Sequence, residues 1–179
     1  MTHGNLISPA SAWVVQWVPA IDYRGSVLDI AAGGGRHTHY LIGSAQSIVA
    51  VDKNVAALAA QTWPDAVEII AADLEDGSPW PLVGRKFIGI VVTNYLYRPI
   101  LPQLAASLEP GGLLIYETFA LGNERFGKPS NPAFLLRPGE LLEFAQENGL
   151  TVLGYFSGEV TQPFPAVIQR LAARAPHRL

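Results

Sequence analysis

Four short apolar runs in this chain each hand over to polar side chains, and those side chains outline a small-molecule site. The first run, Val27-Leu28-Asp29-Ile30, passes straight into Ala31-Ala32-Gly33-Gly34-Gly35 and then Arg36-His37. The second ends at Asp52-Lys53, the third at Asp73-Leu74, and the fourth at Thr93-Asn94-Tyr95. Glycines let a backbone turn tightly and come close to a ligand; close helix packing is the plainer reading of Gly33 to Gly35. A carboxylate such as Asp52 can accept hydrogen bonds from both hydroxyls of a ribose and would repel a ribose phosphate. That alone leaves a nicotinamide dinucleotide open, because its sugar meets the same kind of acid. The turn separates the two ligands. A pyrophosphate is cradled by glycines spaced GxGxxG, whereas here the acid Asp29 stands two residues before Ala31, with Gly33 and Gly35 following. A negative charge in that place suits a cationic ammonium group, so the ligand reads as an adenosine carrying an amino acid rather than a diphosphate.

Parallel strands in one sheet would bring these four ends together, since open sheets of this kind bind ligands beyond the carboxyl ends of their strands. Residues 26–30, 47–51, 67–71, 87–92 and 113–116 read as strands, apolar nearly throughout, as strands covered on both faces are. Helices are expected over residues 36–41, over the alanine-rich residues 54–61 with Asn54 as a cap, over 99–108, and over 138–148 opened by Pro138 and closed by Gly149. Residues 75–85 and 119–137 read as loops. The last two strands, 150–156 and 164–171, lack a crossover helix between them, so they must run antiparallel. At the start of the chain Ser8 and Pro9 suit a helix cap and first turn. Ala10, Trp13, Val14, Trp17 and Val18 then form an apolar stripe at helical spacing, which Pro19 would end. That helix is either a surface element packed on the domain or a lid over a ligand; it also suits an interface, and the oligomeric state stays open.

A single domain is expected from 179 residues, 49% of them hydrophobic and 15% charged. With 12 basic and 15 acidic side chains the net charge is −3, which offers no general attraction to nucleic acid or anionic lipid. Arg170, Arg174, His177 and Arg178 near the end read as a solvated tail. The absence of cysteine excludes disulfides, thiolate nucleophiles and Cys-ligated metals. No metal site is expected, because His3 and His177 are far apart in sequence and His37 and His39 fall on different helix faces. With no leader-like start and no membrane-length apolar run, a cytoplasmic protein is expected.

The stretch VLDIAAGGGRHTHYL resembles the first motif, Asp-x-Gly-x-Gly-x-Gly, of the class I S-adenosylmethionine-dependent methyltransferases, with Ala31 in place of the first glycine. The segments AADLED, VVTNYLYRPILPQLAASLEPGGLLIYETF and GNERFGKPSNPAFLLRPGELLE resemble later parts of the same family, closest to its small tellurite-resistance (TehB-like) subgroup. The resemblance covers residues 8–171. It implies a Rossmann-like three-layer α/β sandwich whose mostly parallel seven-stranded sheet has one antiparallel strand near the C-terminus. It implies S-adenosyl-L-methionine as cofactor, held by Asp29, Ala31, Gly33, Gly35, Arg36, Asp52, Lys53, Asp73, Leu74 and Asn94, and methyl transfer to a small molecule. Within it Asp52 matches the ribose-binding acid. Asp73 matches the acid that meets the adenine amino group, with Leu74 supplying a neighbouring backbone N–H.

In-line transfer from a sulfonium asks mainly for positioning and a dry pocket. Asn94 can orient the methionine or acceptor end, Tyr95 can wall it, and His37 can act as a base or merely buttress the turn. Trp13, Trp17 and Tyr97 read as pocket walls or as core, and Tyr40 as wall. The substrate side is expected at loop 119–137, with Glu117, Glu124, Arg125, Asn131 and Arg137. Arg36, Arg98 and Arg125 are the candidate partners of an anionic acceptor. A nucleic-acid substrate is disfavoured because Asn94 is followed by Tyr95-Leu96-Tyr97 rather than by prolines. The rival readings are a non-catalytic S-adenosylmethionine-binding regulatory module and an NAD-dependent oxidoreductase.

Overall fold

The computed structural model describes residues 8–177; His3 and Arg178 lie outside the described residues. Seven strands form one sheet: β1 (Ser26–Ile30), β2 (Ser47–Asp52), β3 (Val67–Ala71), β4 (Phe87–Thr93), β5 (Leu108–Phe119), β6 (Thr151–Val160) and β7 (Ala166–Arg174). Their order is β3-β2-β1-β4-β5-β7-β6. Neighbours from β3 to β5 pair in parallel, and β7 is antiparallel to both β5 and β6. β7 is therefore the reversed strand, one place in from the edge. The chain leaves β1 toward β2 on one side and returns to β4 on the other. Between β1 and β4 lies the topological switch point, where such sheets open a crevice.

Five short helices cover the sheet: α1 (Ala12–Trp17), α2 (Arg36–Leu41), α3 (Ala56–Ala59), α4 (Leu101–Ala106) and α5 (Glu140–Glu147). Alternation along the strands divides the interior into two layers. Leu28, Ile30, Ile90, Val92, Leu114 and Tyr116 join one layer, with Leu101 and Leu104 of α4 and Leu141 and Phe144 of α5. Val27, Val91, Leu113 and Ile115 join the other, with Trp13 and Val14 of α1 and Leu41 of α2.

Several helix starts differ from the sequence expectation. Helix α1 is capped by Ser11, whose hydroxyl accepts the Trp13 N–H at 3.1 Å, and not by Ser8. The α-helix ends at Trp17, ahead of Pro19 as expected, and Pro19 itself sits in a 3-10 turn, Val18–Ala20, where its missing N–H costs nothing. The alanine-rich run forms only Ala56–Ala59 as helix. Side chains take over the next carbonyls there: Gln61 Nε2 donates to Ala57 O at 2.7 Å and Trp63 Nε1 to Leu58 O at 2.8 Å. Helix α5 begins at Glu140 rather than Pro138, because Gly139 adopts a left-handed conformation at the cap, with φ of 75°. Strand β5 starts early, at Leu108. Its register then jumps, Phe87 pairing with Leu108 and Gly89 with Leu113, so that Glu109 to Gly112 form a bulge.

Both tryptophans of α1 face the sheet rather than a ligand. Trp13 is buried and donates its Nε1–H to Leu171 O at 3.2 Å. Trp17 lies over Gly154 of β6. Trp13 and Trp17 pack in the layer on this face of the sheet and are not walls of the cavities described below. No helix among the described residues is long and apolar enough to cross a membrane.

A Cβ at residue 154 would run into the Trp17 ring and stand 3.1 Å from Trp13 Cη2. Gly154→Ala is therefore expected to lower stability by about 1–3 kcal/mol through overpacking. Urea unfolding of the two proteins checks this, and an unchanged midpoint would mean that α1 does not seat on β6.

Candidate active site

At the carboxyl end of β1 the chain must reverse within a few residues to enter α2. It does so through left-handed conformations at Ala31, Gly33 and Gly35, with φ of 53°, 55° and 80°. Alanine in that region costs about 1–2 kcal/mol relative to a right-handed conformation, whereas glycine adopts it freely. The two glycines serve different ends. A Cβ at residue 33 would meet nothing within 4 Å, whereas one at residue 35 would lie 2.7 Å from Leu58 Cδ2 and 2.8 Å from Trp63 Cη2. Gly33 thus borders open space, and Gly35 allows α3 and Trp63 to pack closely.

The turn is tied to the neighbouring strand. Asp52 Oδ2 accepts the Gly33 N–H at 2.8 Å, and its Oδ1 accepts the Asn54 N–H at 2.8 Å. The Ala32 N–H donates to Val51 O at 3.1 Å, and the Gly35 N–H to Ala32 O at 2.8 Å. Across the switch point Asn94 also takes a left-handed conformation, with φ of 53°, one that asparagine tolerates better than most side chains. Its N–H donates to Glu117 O at 2.9 Å.

Two cavities meet at this turn. One, of about 740 Å³, is lined by Ala31, Gly33, Arg36, His37 and Asn94, with further residues of α2, α3 and the start of the chain. The other, of about 250 Å³, is lined by Asp52, Lys53, Asp73, Leu74, Glu75 and Tyr95. Ala31 borders both. Gly35 and Asp29, also expected to hold the ligand, line neither. A third cavity, of about 220 Å³, shares Asp73 and Leu74 and is closed by Trp80, Tyr97 and Pro99.

Three expected site residues are employed differently from the sequence reading. The Asp29 carboxylate is buried beneath the turn and accepts the Thr38 hydroxyl at 2.6 Å. Burial pushes its carboxyl up to about 7, against the Thr38 hydrogen bond. His37 is a poor candidate base. Its Nε2 accepts the Ser11 N–H at 3.1 Å, which leaves Nδ1 to carry the proton toward Thr93 Oγ1 at 3.2 Å. Burial, reinforced by the Arg36 charge, pulls the imidazole down to about 4, so it stays neutral at ordinary pH. Tyr95 belongs to the smaller, acidic cavity, where burial and then Glu75 raise the pKa of its hydroxyl and keep it protonated.

No residue of loop 119–137 lines these cavities, and the basic side chains in and around it are mostly engaged in ion pairs within the protein. Arg98 pairs with Glu140 at 2.6 Å and donates to Ala133 O at 2.8 Å and Leu135 O at 2.9 Å. Burial opposes the Glu140 charge, but Arg98 and the Arg137 N–H outweigh it and hold the carboxyl below its usual range. Arg125 pairs with Glu159 at 2.5 Å, and Arg170 with Glu117 at 2.5 Å. Arg36 has no carboxylate within 4.0 Å among the described residues, and it alone of the three candidate arginines lines the large cavity. Sequence reasoning missed His39, Gln61, Thr62 and Glu75 on the cavity walls. The strand-end rule could have found Glu75, two residues after Asp73; nothing local marks Gln61 as reaching back to the turn. Among the described residues no group of three His, Asp or Glu side chains could hold a metal ion.

The opposed shifts of Asp29 and His37 make a testable pair. In the unfolded chain they titrate near 3.8 and 6.5, and in the folded protein near about 7 and about 4. Between pH 4 and 6.5 the unfolded chain holds its proton on His37 and the folded one holds it on Asp29, so the two contributions to stability cancel. Asp29→Asn should leave the His37 contribution uncovered, with stability rising as pH goes from about 4 to about 6.5. His37→Gln should leave that of Asp29, with stability falling as pH rises from about 4 to about 7. Urea midpoints across this range would show slopes of opposite sign; parallel slopes would rule out the assignment.

No family model matches this chain, and no curated protein does. Solved structures resemble it over most of its length. TehB from Haemophilus influenzae is 18% identical over 93% of this chain and 62% of its own, with a TM-score of 0.71. The N-methyltransferase NodS from Bradyrhizobium japonicum is 17% identical over 91% of this chain and 93% of its own, with a TM-score of 0.68, and has also been solved with S-adenosyl-L-homocysteine. The (4+2)-cyclase SpnF is 15% identical over 92% of this chain and 79% of its own, with a TM-score of 0.69. At such identities the likeness speaks for architecture: this chain has the Rossmann-like α/β fold on which S-adenosylmethionine-dependent methyltransferases are built.

Proposed function

We propose that the protein is an S-adenosylmethionine-dependent methyltransferase that acts on a small molecule. The observation that carries this reading is the pair of cavities meeting at Ala31, one bordered by the glycine turn and Asn94, the other by Asp52, Asp73 and Glu75. An elongated ligand with an amino-acid end and a nucleoside end fits that division. Asp52 keeps acceptor capacity on both oxygens after receiving Gly33 and Asn54, enough for the two ribose hydroxyls. Asp73 and Glu75 suit the donor edge of an adenine, and Lys53 and Tyr95 complete its surroundings. The open space at Gly33 and Gly34 leaves room for the methionine part, and Arg36 is the cation for its carboxylate. A dinucleotide fits poorly, because three carboxylates line the smaller cavity and would repel its diphosphate.

When bound, the cofactor supplies an electrophilic methyl group on a sulfonium. The protein's part is to orient and to exclude water. Asn94, on the lining and without charge, is the residue assigned to orient the methionine end and the acceptor. His37 is assigned a positioning role: its bonds join the start of α1 to the end of β4, closing one wall of the large cavity. Tyr95 is assigned to the adenosine side.

The acceptor's chemistry follows from what the wall lacks. Both imidazoles on the described lining, His37 and His39, are already hydrogen-bonded within the protein. His37 has both ring nitrogens engaged and is not free to take a proton from a weakly acidic hydroxyl, while the Nε2 of His39 is held by Gln61. The acceptor we infer arrives with its lone pair available, as a thiolate, a reduced chalcogen or an unprotonated amine does. The NodS protein among the structural neighbours is an N-methyltransferase.

The cyclase among the structural neighbours is the reason to test chemistry apart from binding, since one fold hosts several reactions. Calorimetric titration with S-adenosylhomocysteine and NAD in parallel is expected to show binding of the first alone, and binding of NAD alone would sink the reading. Asp52→Ala should weaken S-adenosylhomocysteine about 10- to 100-fold, as expected for charge-assisted hydrogen bonds lost to a ligand. Thiols, amines, and selenite and tellurite reduced beforehand with excess thiol are then incubated with S-adenosylmethionine and the protein. Release of S-adenosylhomocysteine with at least one of them is expected; binding without turnover would favour a regulatory module.

A further inference from the structure

The wall of the large cavity formed by α2 and α3 carries a hydrogen-bonded chain that ends on the glycine turn. Gln61 lies just beyond α3. Its Nε2 donates to Gly34 O at 3.0 Å as well as to Ala57 O at 2.7 Å. Its Oε1 is 2.6 Å from His39 Nε2, which must be the donor, since the amide oxygen can only accept. The His39 ring lies against Trp63, with centroids 4.2 Å apart, and Trp63 in turn fills the space beside Gly35. His39 thereby fixes which way the Gln61 amide points, and Trp63 fixes His39.

The consequence falls on one peptide group. The Gly34–Gly35 peptide is held at both ends, its carbonyl by Gln61 and its N–H by Ala32 O at 2.8 Å. The preceding N–H, that of Gly33, is held by Asp52. Between these two anchors the Gly34 N–H has no acceptor among the described residues, and Gly34 lines the cavity. Three glycines in a row have no side chains to hold their conformation, and ordering such a backbone is entropically costly.

We propose that Gln61, oriented by His39, is a positioning residue for the glycine turn: it pins the Gly34–Gly35 peptide so that the Gly34 N–H stays presented to the amino-acid end of the ligand. This rests on the reading of the cavity as an S-adenosylmethionine site. Without the pin the turn samples other conformations before binding, and the ligand must order it, which lowers affinity without removing any residue that touches the ligand's ribose or adenine.

Gln61→Met tests it, because methionine keeps the length and neutrality of the side chain but none of its hydrogen bonds. His39→Phe is the second variant; it keeps a ring against Trp63 and removes the donor to Gln61. Titration with S-adenosylhomocysteine is expected to show about tenfold weaker binding for Gln61→Met and about threefold for His39→Phe. Amide exchange of residues 33–36 in the free protein should quicken in both, with the melting temperature of the free protein nearly unchanged. Affinity within twofold of the parent in Gln61→Met, with the variant folded, overturns the proposal. If Gln61→Met does not fold, His39→Phe decides on the same two readouts. Failure of the parent itself to bind S-adenosylhomocysteine would instead overturn the reading of the cavity, so the two failures are distinguishable.

Discussion

The carboxylate of Asp52 reaches across from the end of β2 and accepts the amide N–H of Gly33, and the site is organised around that bond. A strand that must turn at once into a helix leaves its amides exposed, and Gly33 to Gly35 have no side chains to order themselves. A charged acceptor on the adjacent strand end compensates for both. The same carboxylate accepts Asn54 N–H and so shapes the start of the α3 segment, which returns Gln61 to the other side of the turn. One acid thus positions the turn directly and, through the next segment, indirectly. Asp52 also lines the smaller cavity, so the group that builds the site is also one that can bind there.

Beneath the turn the interior is charged in an economical way. Asp29 and His37 are both buried, one holding its proton more tightly than in water and the other less. With the acid bonded to Thr38 and the imidazole to Ser11 and Thr93, neither needs a full charge to satisfy its surroundings. A neutral imidazole and a carboxyl that keeps its proton up to about pH 7 cost less to bury than two full ions. The His37 bonds join the start of α1, α2 and the end of β4.

The loop after β5 shows a different use of charge. Arg98, Arg125 and Arg170 are each paired with a glutamate from a distant part of the chain. The Arg125–Glu159 pair is exposed on both sides, and such a pair adds little stability singly. The glutamates of Arg98 and Arg170 are buried, and Arg98 also takes two loop carbonyls, so it braces the 132–137 segment against α5. What remains unpaired on the cavity wall is mostly neutral, which is why the acceptor's own nucleophilicity matters to the proposed chemistry.

Much of this could be seen in the residues alone. Apolar runs of five or six residues, glycines with an acid two places ahead of Ala31, and polar side chains at successive run ends announce a parallel sheet with a ligand crevice, because strand period and turn chemistry act locally. Lys53, Asp73, Leu74 and Asn94 stand at the crevice as their places at the run ends imply. What the sequence could not express is partnership over distance. Whether Arg98 faces a ligand or Glu140, whether His37 keeps a free nitrogen, whether Trp13 and Trp17 cover a pocket or a strand, and whether Gln61 ends a helix or holds a turn all depend on segments brought together by sheet order. Local sequence determined the elements and the chemical character of their ends; tertiary packing alone decided which polar atoms were left free to act, because a hydrogen bond is assigned by proximity in space and each side chain has few to give.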